Sequence, residues 1–244
     1  MRPQKHLAEL QLALMLLTRL PAGRIEGAVP DLAAARWAFP IIGSPIGLLT
    51  WFAYAGASAI GAPSAIAALL ALATLALLTG ALHFDGLADF ADGIGGGRDK
   101  ADALEIMRDS RVGSYGMLAM IVVVGLWTHS VMVVDPGPLV FVGAAMLSRA
   151  AMVALQGVLP PARPDGMARL AAGHNRAGQA VMTLVAVAAL FFWPVPLGIC
   201  IATVTLTALL AKRKIGGQTG DVLGAAQLLS ETSIWVALAF LTDP

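Results

Sequence analysis

The sequence predicts an all-α polytopic membrane protein with about six to seven transmembrane helices and an N-terminal interfacial helix. Three observations predict it. Of 244 residues, 58% are hydrophobic and 13% charged, with a mean hydropathy of +0.78; a soluble domain carries about 25% charged residues. The apolar residues fall into runs that approach the roughly 20 residues a helix needs to cross a bilayer. The cations concentrate in alternate connections between those runs, the pattern of a positive-inside topology.

The first segment, 7–20, follows Arg2 and Lys5 and has the flanks of a signal peptide. Its uninterrupted apolar part, Leu12 to Leu17, is short, Arg19 follows at once, and no small-residue cleavage pattern closes it. It reads as an interfacial or partly buried helix. Spanning runs follow at about 38–60 and 64–82, separated by the uncharged turn Gly61-Ala62-Pro63. The polar stretch 83–116 comes next. A third run covers about 117–134, Asp135-Pro136-Gly137-Pro138 turns the chain, and a fourth covers about 139–159. Residues 160–178 are polar and rich in Pro, Gly and Arg. The 33 apolar residues 179–211 exceed one ordinary span, and Pro194 and Pro196 divide them into a helical hairpin. A last run covers about 222–241. The whole chain, 1–244, reads as one integral-membrane catalytic domain.

Charge sets the orientation. Fifteen of the sixteen cations lie in the N-terminal segment (Arg2, Lys5, Arg19, Arg24, Arg36), the polar stretch (Arg98, Lys100, Arg108, Arg111), the fourth connection (Arg163, Arg169, Arg176) and the sixth (Lys212, Arg213, Lys214). The turns at 61–63, 135–138 and 194–196 carry none. The cationic side is therefore expected to be cytoplasmic. A net charge of +1 gives no basic field for nucleic acid. The single cysteine, Cys200, excludes an internal disulfide and argues against a thiolate metal site.

The polar stretch holds seven of the fifteen carboxylates: Asp85, Asp89, Asp92, Asp99, Asp102, Glu105 and Asp109. Asp85, Asp89 and Asp92 stand at i, i+4 and i+7, one face of a helix, and Glu105 and Asp109 repeat the i, i+4 spacing. Like charges on one face repel, so a cation that neutralises them is expected. Oxygen ligands favour Mg²⁺, with Mn²⁺ possible, over zinc. A solvated loop whose acids offset Arg98, Lys100, Arg108 and Arg111 is the plainer alternative. Gly93, Gly95, Gly96 and Gly97 let the backbone fold back or approach a ligand. Arg108, Arg111 and Ser114 stand beside the acids, as binders of an anionic substrate such as a phosphate ester would.

A second polar constellation, 212–221, reads KRKIGGQTGD. Its glycines, hydroxyl and three cations, at an expected helix N-terminus, suit phosphate binding or a basic membrane anchor. The Walker A order is absent. Within the apolar runs lie His129, Arg149 and Glu231. Ionisable groups at such depth default to functional hypotheses, and Arg149 with Glu231 could instead pair structurally.

Together these residues closely resemble the cobalamin synthase family, the adenosylcobinamide-GDP ribazoletransferases of bacteria and archaea. The matching pieces are Thr18-Arg19-Leu20-Pro21, Phe39-Pro40, His83-Phe84-Asp85-Gly86-Leu87-Ala88-Asp89 with Asp92-Gly93, residues 104–113 (LEIMRDSRVG), Ser148-Arg149, and residues 216–225 (GGQTGDVLGA). Phe84 and Phe90 depart from the family pattern without touching the carboxylates. The resemblance implies the last assembly step of coenzyme B12 in the cytoplasmic membrane: adenosylcobinamide-GDP joins α-ribazole or its 5′-phosphate and GMP is released. It implies Mg²⁺ held by Asp85, Asp89, Asp92 and Asp109, with Asp85, Asp109 and Glu105 as catalytic acids. Substrate is expected to meet His83, Arg108, Arg111, Ser114, Arg149, Lys212, Gly216, Gly217, Gln218, Thr219 and Asp221. The expected partners are these two small molecules and the lipid bilayer, with a homo-oligomer possible. The acid-rich motif is loosely similar to that of the CDP-alcohol phosphotransferases, so a bundle like theirs is expected, and a lipid-directed enzyme of that kind is the nearest alternative. An anion transporter working through Arg149 and Glu231 is a more distant one, since the acids crowd one polar stretch and not the midplane.

Overall fold

The structure is a computed structural model that describes residues 3–164, 166–171, 173 and 175–242; Arg2, counted above among the cations, lies outside the described residues. Helices follow one another as α1 (Pro3–Leu17), α2 (Leu32–Ala35), α3 (Ala38–Ala59), α4 (Ser64–Thr79), α5 (Leu82–Gly96) and α6 (Lys100–Ile106). The second half continues with α7 (Ser114–Val134), α8 (Pro138–Val158), α9 (Met167–Leu170), α10 (Arg176–Phe192), α11 (Pro194–Ile215) and α12 (Gly220–Thr242). Among the described residues the sole β-type pairing is an isolated bridge between Pro161 and Gln218.

Every apolar run of the sequence forms a helix. Five are long and apolar enough to cross a membrane: α3, α7, α8, α11 and α12. Helices α4 and α5 would make a sixth span if joined, but they meet at 90°. Helix α10 is apolar and shorter, 17 residues. The hairpin expected at Pro194 and Pro196 forms there: α10 ends at Phe192 and Pro194 opens α11, where a missing N–H costs no hydrogen bond. The chain is a multi-pass membrane protein.

Helix α1, with 15 residues, is too short to span. The buried Glu9 carboxylate fastens it to the start of α3, accepting from the Trp37 indole at 2.7 Å and pairing with His6 Nδ1 at 2.9 Å. Thr18 ends the helix, its hydroxyl donating to the Leu14 carbonyl and accepting from the Leu20 N–H. The backbone N–H of Arg19 then reaches the Leu78 carbonyl of α4 at 2.7 Å. The bend between α4 and α5 is made by two successive left-handed residues, Gly80 (φ 60°) and Ala81 (φ 56°). Left-handed backbone suits glycine and is unfavourable for alanine; the N–H of the exposed Ala81 donates to the Ala76 carbonyl at 2.7 Å, which holds the bend.

Without a hydrophobic drive between helices in lipid, close backbone approach carries the packing. Gly43 and Gly47, a GxxxG pair on α3, lie directly on α8. A Cβ at Gly43 would stand 2.6 Å from the Ala145 carbonyl oxygen, and one at Gly47 would stand 2.5 Å from that of Phe141. Helix α12 is the most buried span and packs against α5, α7, α8 and α11. Its C-terminal half carries Trp235, edge-on to Trp127 (centroids 5.8 Å apart) and Phe141 (4.9 Å).

Midway, α12 meets α8 through a buried polar network. Arg149 Nη1 donates to the Ala145 carbonyl at 2.9 Å and to Glu231 Oε2 at 3.5 Å. Gln227 Nε2 donates to the same oxygen at 2.6 Å and to Ser148 Oγ at 3.0 Å, and Ser148 Oγ donates to Glu231 at 3.2 Å. Arg149 is wholly buried and pairs with Glu231 inside the bundle through Nη1, while its Nε and Nη2 have no hydrogen-bond partner. His129 lies exposed on α7.

Removing one member of such a pair leaves an uncompensated buried charge. Glu231→Ala is expected to lower stability by about 3–5 kcal/mol, and the double replacement Arg149→Met with Glu231→Leu to recover most of that loss. Unfolding in mild detergent would read it. Equal destabilisation by the single and double variants would remove the pair from the account.

Candidate active site

The site is built where α5 crosses the first turns of α12. The crossing is close because both helices present glycine: a Cβ at Gly86 would come within 3.1 Å of the Asp221 carbonyl oxygen and 3.2 Å of the Gly224 Cα. From the other side, a Cβ at Gly224 would meet the Gly86 Cα at 3.3 Å and the His83 Cα at 3.4 Å. Beside the two glycines stand Asp85 on α5 and Asp221 on α12. Two carboxylates 136 positions apart are thus carried to one place by a glycine contact.

Asp85, Asp89 and Asp92 do lie on one helix, as their spacing predicted, but they meet different surroundings. Asp85 is exposed and lines a narrow pocket of about 80 Å³ with His83, Gln156, Gly220 and Asp221. Asp89, half-buried, feels the charges of Asp85, Asp221 and Asp92, with Arg163 as counter-charge. Asp92 is buried and turned towards α7. Its oxygens accept from the Gly113 N–H at 2.7 Å and the Gly116 N–H at 2.9 Å, two of the donors that a helix N-terminus leaves without internal partners. A Cβ at either glycine would stand 2.4 Å from that carboxylate. Asp92 therefore caps α7 from a neighbouring helix.

Asp109 stands in the turn after α6. It is gripped by Arg111, whose Nε donates at 3.0 Å and Nη2 at 2.5 Å, and that contact holds its carboxyl down at a pKa of about 2. Arg111 is itself exposed and committed to this acid. Ser114 is exposed at the first position of α7. Glu105 and Arg108, both exposed, line an open groove with Leu104, Ala162 and Arg163. Elsewhere in the polar stretch, Asp99 caps α6 by accepting from the N–H groups of Ala101 and Asp102, and Arg98 pairs with Asp102 at 2.9 Å.

The 212–221 segment divides by role. Lys212 is exposed in the last turn of α11, which Gly216 closes in the left-handed conformation (φ 80°). Gly217 and Gln218 are buried against residues 159–162. The Gln218 backbone donates to the Pro160 carbonyl at 2.8 Å and accepts from the Ala162 N–H at 2.9 Å, while its side chain donates to the Leu159 carbonyl at 2.7 Å. Thr219 starts α12, its hydroxyl accepting from the Val222 N–H and donating to Asp221 Oδ2 at 3.1 Å. His83 is buried at the pocket wall, and its Nε2 has no hydrogen-bond partner. Arg149 belongs to the internal pair with Glu231.

One residue emerges that sequence reasoning had counted only as a cation. Arg163 follows directly on the strip that Gln218 clamps. It donates from Nη2 to the Leu104 carbonyl at 2.9 Å, and its charge reaches Asp89 and Asp221. Nothing in its local sequence announces this, because its position depends on Gln218, 55 residues away.

Among the described residues no three His, Cys, Asp or Glu side chains stand close enough, as placed, to hold a metal ion. The donor chemistry nevertheless suits a hard divalent cation: Asp85, Asp89 and Asp221 offer only carboxylate oxygens, share one field and have little counter-charge. Turning these side chains towards each other is what binding would require.

Asp92 and Asp85 are expected to separate experimentally. Asp92→Ala strips two N–H groups of their acceptor and should lower unfolding stability by about 1–3 kcal/mol. Asp85→Ala, at an exposed position, should leave the melting temperature unchanged. A melting temperature unaltered in Asp92→Ala would show that α7 is not held this way.

The arrangement can be set beside known proteins. The family profile described as Cobalamin-5-phosphate synthase matches residues 9–239. An adenosylcobinamide-GDP ribazoletransferase of Bradyrhizobium diazoefficiens is 43% identical, over 96% of this chain and 94% of its own. One from Azorhizobium caulinodans is 40% identical over the full length of both, and one from Mesorhizobium japonicum is 39% identical over 95% and 93%. No solved structure matches the chain. Matched end to end, with the paired acids of α5 and the GGQTGD segment joined in one site, the chain belongs to the cobalamin-5-phosphate synthase family.

Proposed function

We propose that this protein is an adenosylcobinamide-GDP ribazoletransferase that completes coenzyme B12. It joins adenosylcobinamide-GDP to α-ribazole or α-ribazole 5′-phosphate and releases GMP. The chain is a transferase of cobalamin biosynthesis by family. The observation that carries the mechanism is the meeting of Asp85 and Asp89 with Asp221 across the glycine contact of α5 and α12.

In this reading Asp85, Asp89 and Asp221 would hold Mg²⁺ or Mn²⁺, a set that keeps two of the acids expected from sequence and adds one from α12. Such a cation would neutralise diphosphate oxygens and stabilise the departing phosphate. Arg163 and Arg108, on the adjoining groove, bind the remaining diphosphate charge and orient it. The first turn of α12, opening on the same pocket, adds backbone N–H donors. A ribose hydroxyl of α-ribazole attacks the phosphorus that bears the cobinamide arm. The new P–O bond forms as the bond to GMP breaks, and the hydroxyl proton passes to an acid that does not hold the cation, Glu105, exposed on the adjoining groove. Asp92 and Asp109, engaged with α7 and Arg111, shape the site without joining this step. A site at the cytoplasmic side of the cytoplasmic membrane is the reading that the cation-rich connections support.

The test is turnover by membranes or purified protein supplied with adenosylcobinamide-GDP and α-ribazole 5′-phosphate. Mg²⁺-dependent release of GMP with the joined product is expected, abolished by EDTA and restored by Mg²⁺ or Mn²⁺. Asp85→Ala and Asp221→Ala should each lose at least about 100-fold in rate while still reaching the membrane. Normal turnover in either would dismiss the assignment, and activity only with a CDP-linked lipid would move the protein to the neighbouring phosphotransferases.

A further inference from the structure

Away from the acids, on the flank of the bundle, α8, α10 and α11 enclose an apolar groove of about 460 Å³. Its floor is made concave by Ala150, Ala154 and Ala208, and its walls by larger aliphatic side chains. Along α11 it runs from Leu197 to Lys212, about 22 Å at the helical rise of 1.5 Å per residue. That length exceeds the roughly 15 Å of hydrocarbon in one leaflet. Among the described residues Lys212 is the one charged residue lining it, at the end where α11 closes with Lys212-Arg213-Lys214. Lys212 lines no part of the Asp85 pocket.

We propose that this groove is a binding site for one anionic phospholipid. An acyl chain lies along α11, and the headgroup phosphate rests on the ammonium of Lys212. Charge and dimension argue together for this occupant. An acyl chain needs a continuous apolar channel about a leaflet deep, and an anionic phosphate needs a cation at the interfacial end; the groove offers both in register. A helix C-terminus alone would repel a phosphate, since its dipole is negative there, and the three cations in the last turn of α11 reverse that sign. Lys212, foreseen from sequence as a substrate contact, takes the lipid phosphate instead.

The experiment is native mass spectrometry of the full-length protein. It would be released from bilayers containing equal amounts of palmitoyl-oleoyl phosphatidylglycerol and palmitoyl-oleoyl phosphatidylcholine. One retained phospholipid is expected, with phosphatidylglycerol preferred by about fivefold, the worth of one cation beside an anionic headgroup. Lys212→Gln should keep the bound lipid and lose the preference. Ala154→Trp, or Ala208→Trp where the first fails to fold, should fill the groove and lose the lipid, with GMP release per folded molecule unchanged. Retention of lipid by a folded tryptophan variant, equal retention of both lipids by the parent, or a groove-dependent dimer in place of bound lipid would each overturn the proposal.

Discussion

The structure depends on one contact above others: the backbones of α5 and α12 touch at Gly86 and Gly224. Every element of the candidate site is referred to that crossing. It sets Asp85 and Asp89 beside Asp221, and it opens the N-terminus of α12 onto the pocket they line. Because α12 is also the helix around which α7, α8 and α11 assemble, the acids are fixed to the axis of the bundle. The mutual repulsion of these acids is opposed by the packing of two helices at backbone contact.

Around this axis the polar residues of the chain have separated tasks. Some serve folding: Asp92 caps α7, Glu9 ties α1 to α3, Glu231 answers Arg149, and Gln218 clamps the strip that precedes Arg163. Others face the pocket and groove. The division follows burial. The buried carboxylates Glu9, Asp92 and Glu231 have protein partners already, whereas Asp85, Glu105 and Arg108 are turned outward where a substrate would lie. His83 is buried at the pocket wall with Nε2 unanswered.

Most of the fold was legible in the sequence because a bilayer leaves few choices. Length and hydropathy alone placed the apolar helices and the proline-broken hairpin. The bend between α4 and α5 was not legible, since it rests on the left-handed conformation of an ordinary Gly-Ala pair in an apolar run. In the site, spacing found the acids of α5 but could not say which way each faces along a helix with neighbours on several sides. Asp92 and Asp85 look alike in sequence and have opposite surroundings. Asp221 and Arg163 owe their places to contacts between distant segments, the kind of information that local pattern does not hold.

The early end of α4 has a consequence for the medium in which the chemistry takes place. Its 16 residues rise about 24 Å, short of a hydrocarbon core of about 30 Å. A helix that falls short draws the bilayer thin around it or draws water and headgroups inwards. Helix α5 begins at that shortfall, so mismatch of this kind predicts a bilayer thinned beside the carboxylates. A nucleotide-linked substrate reaching the acids through such a thinning would find fewer water molecules competing for its phosphates, and ionic contacts would count for more than on an open surface.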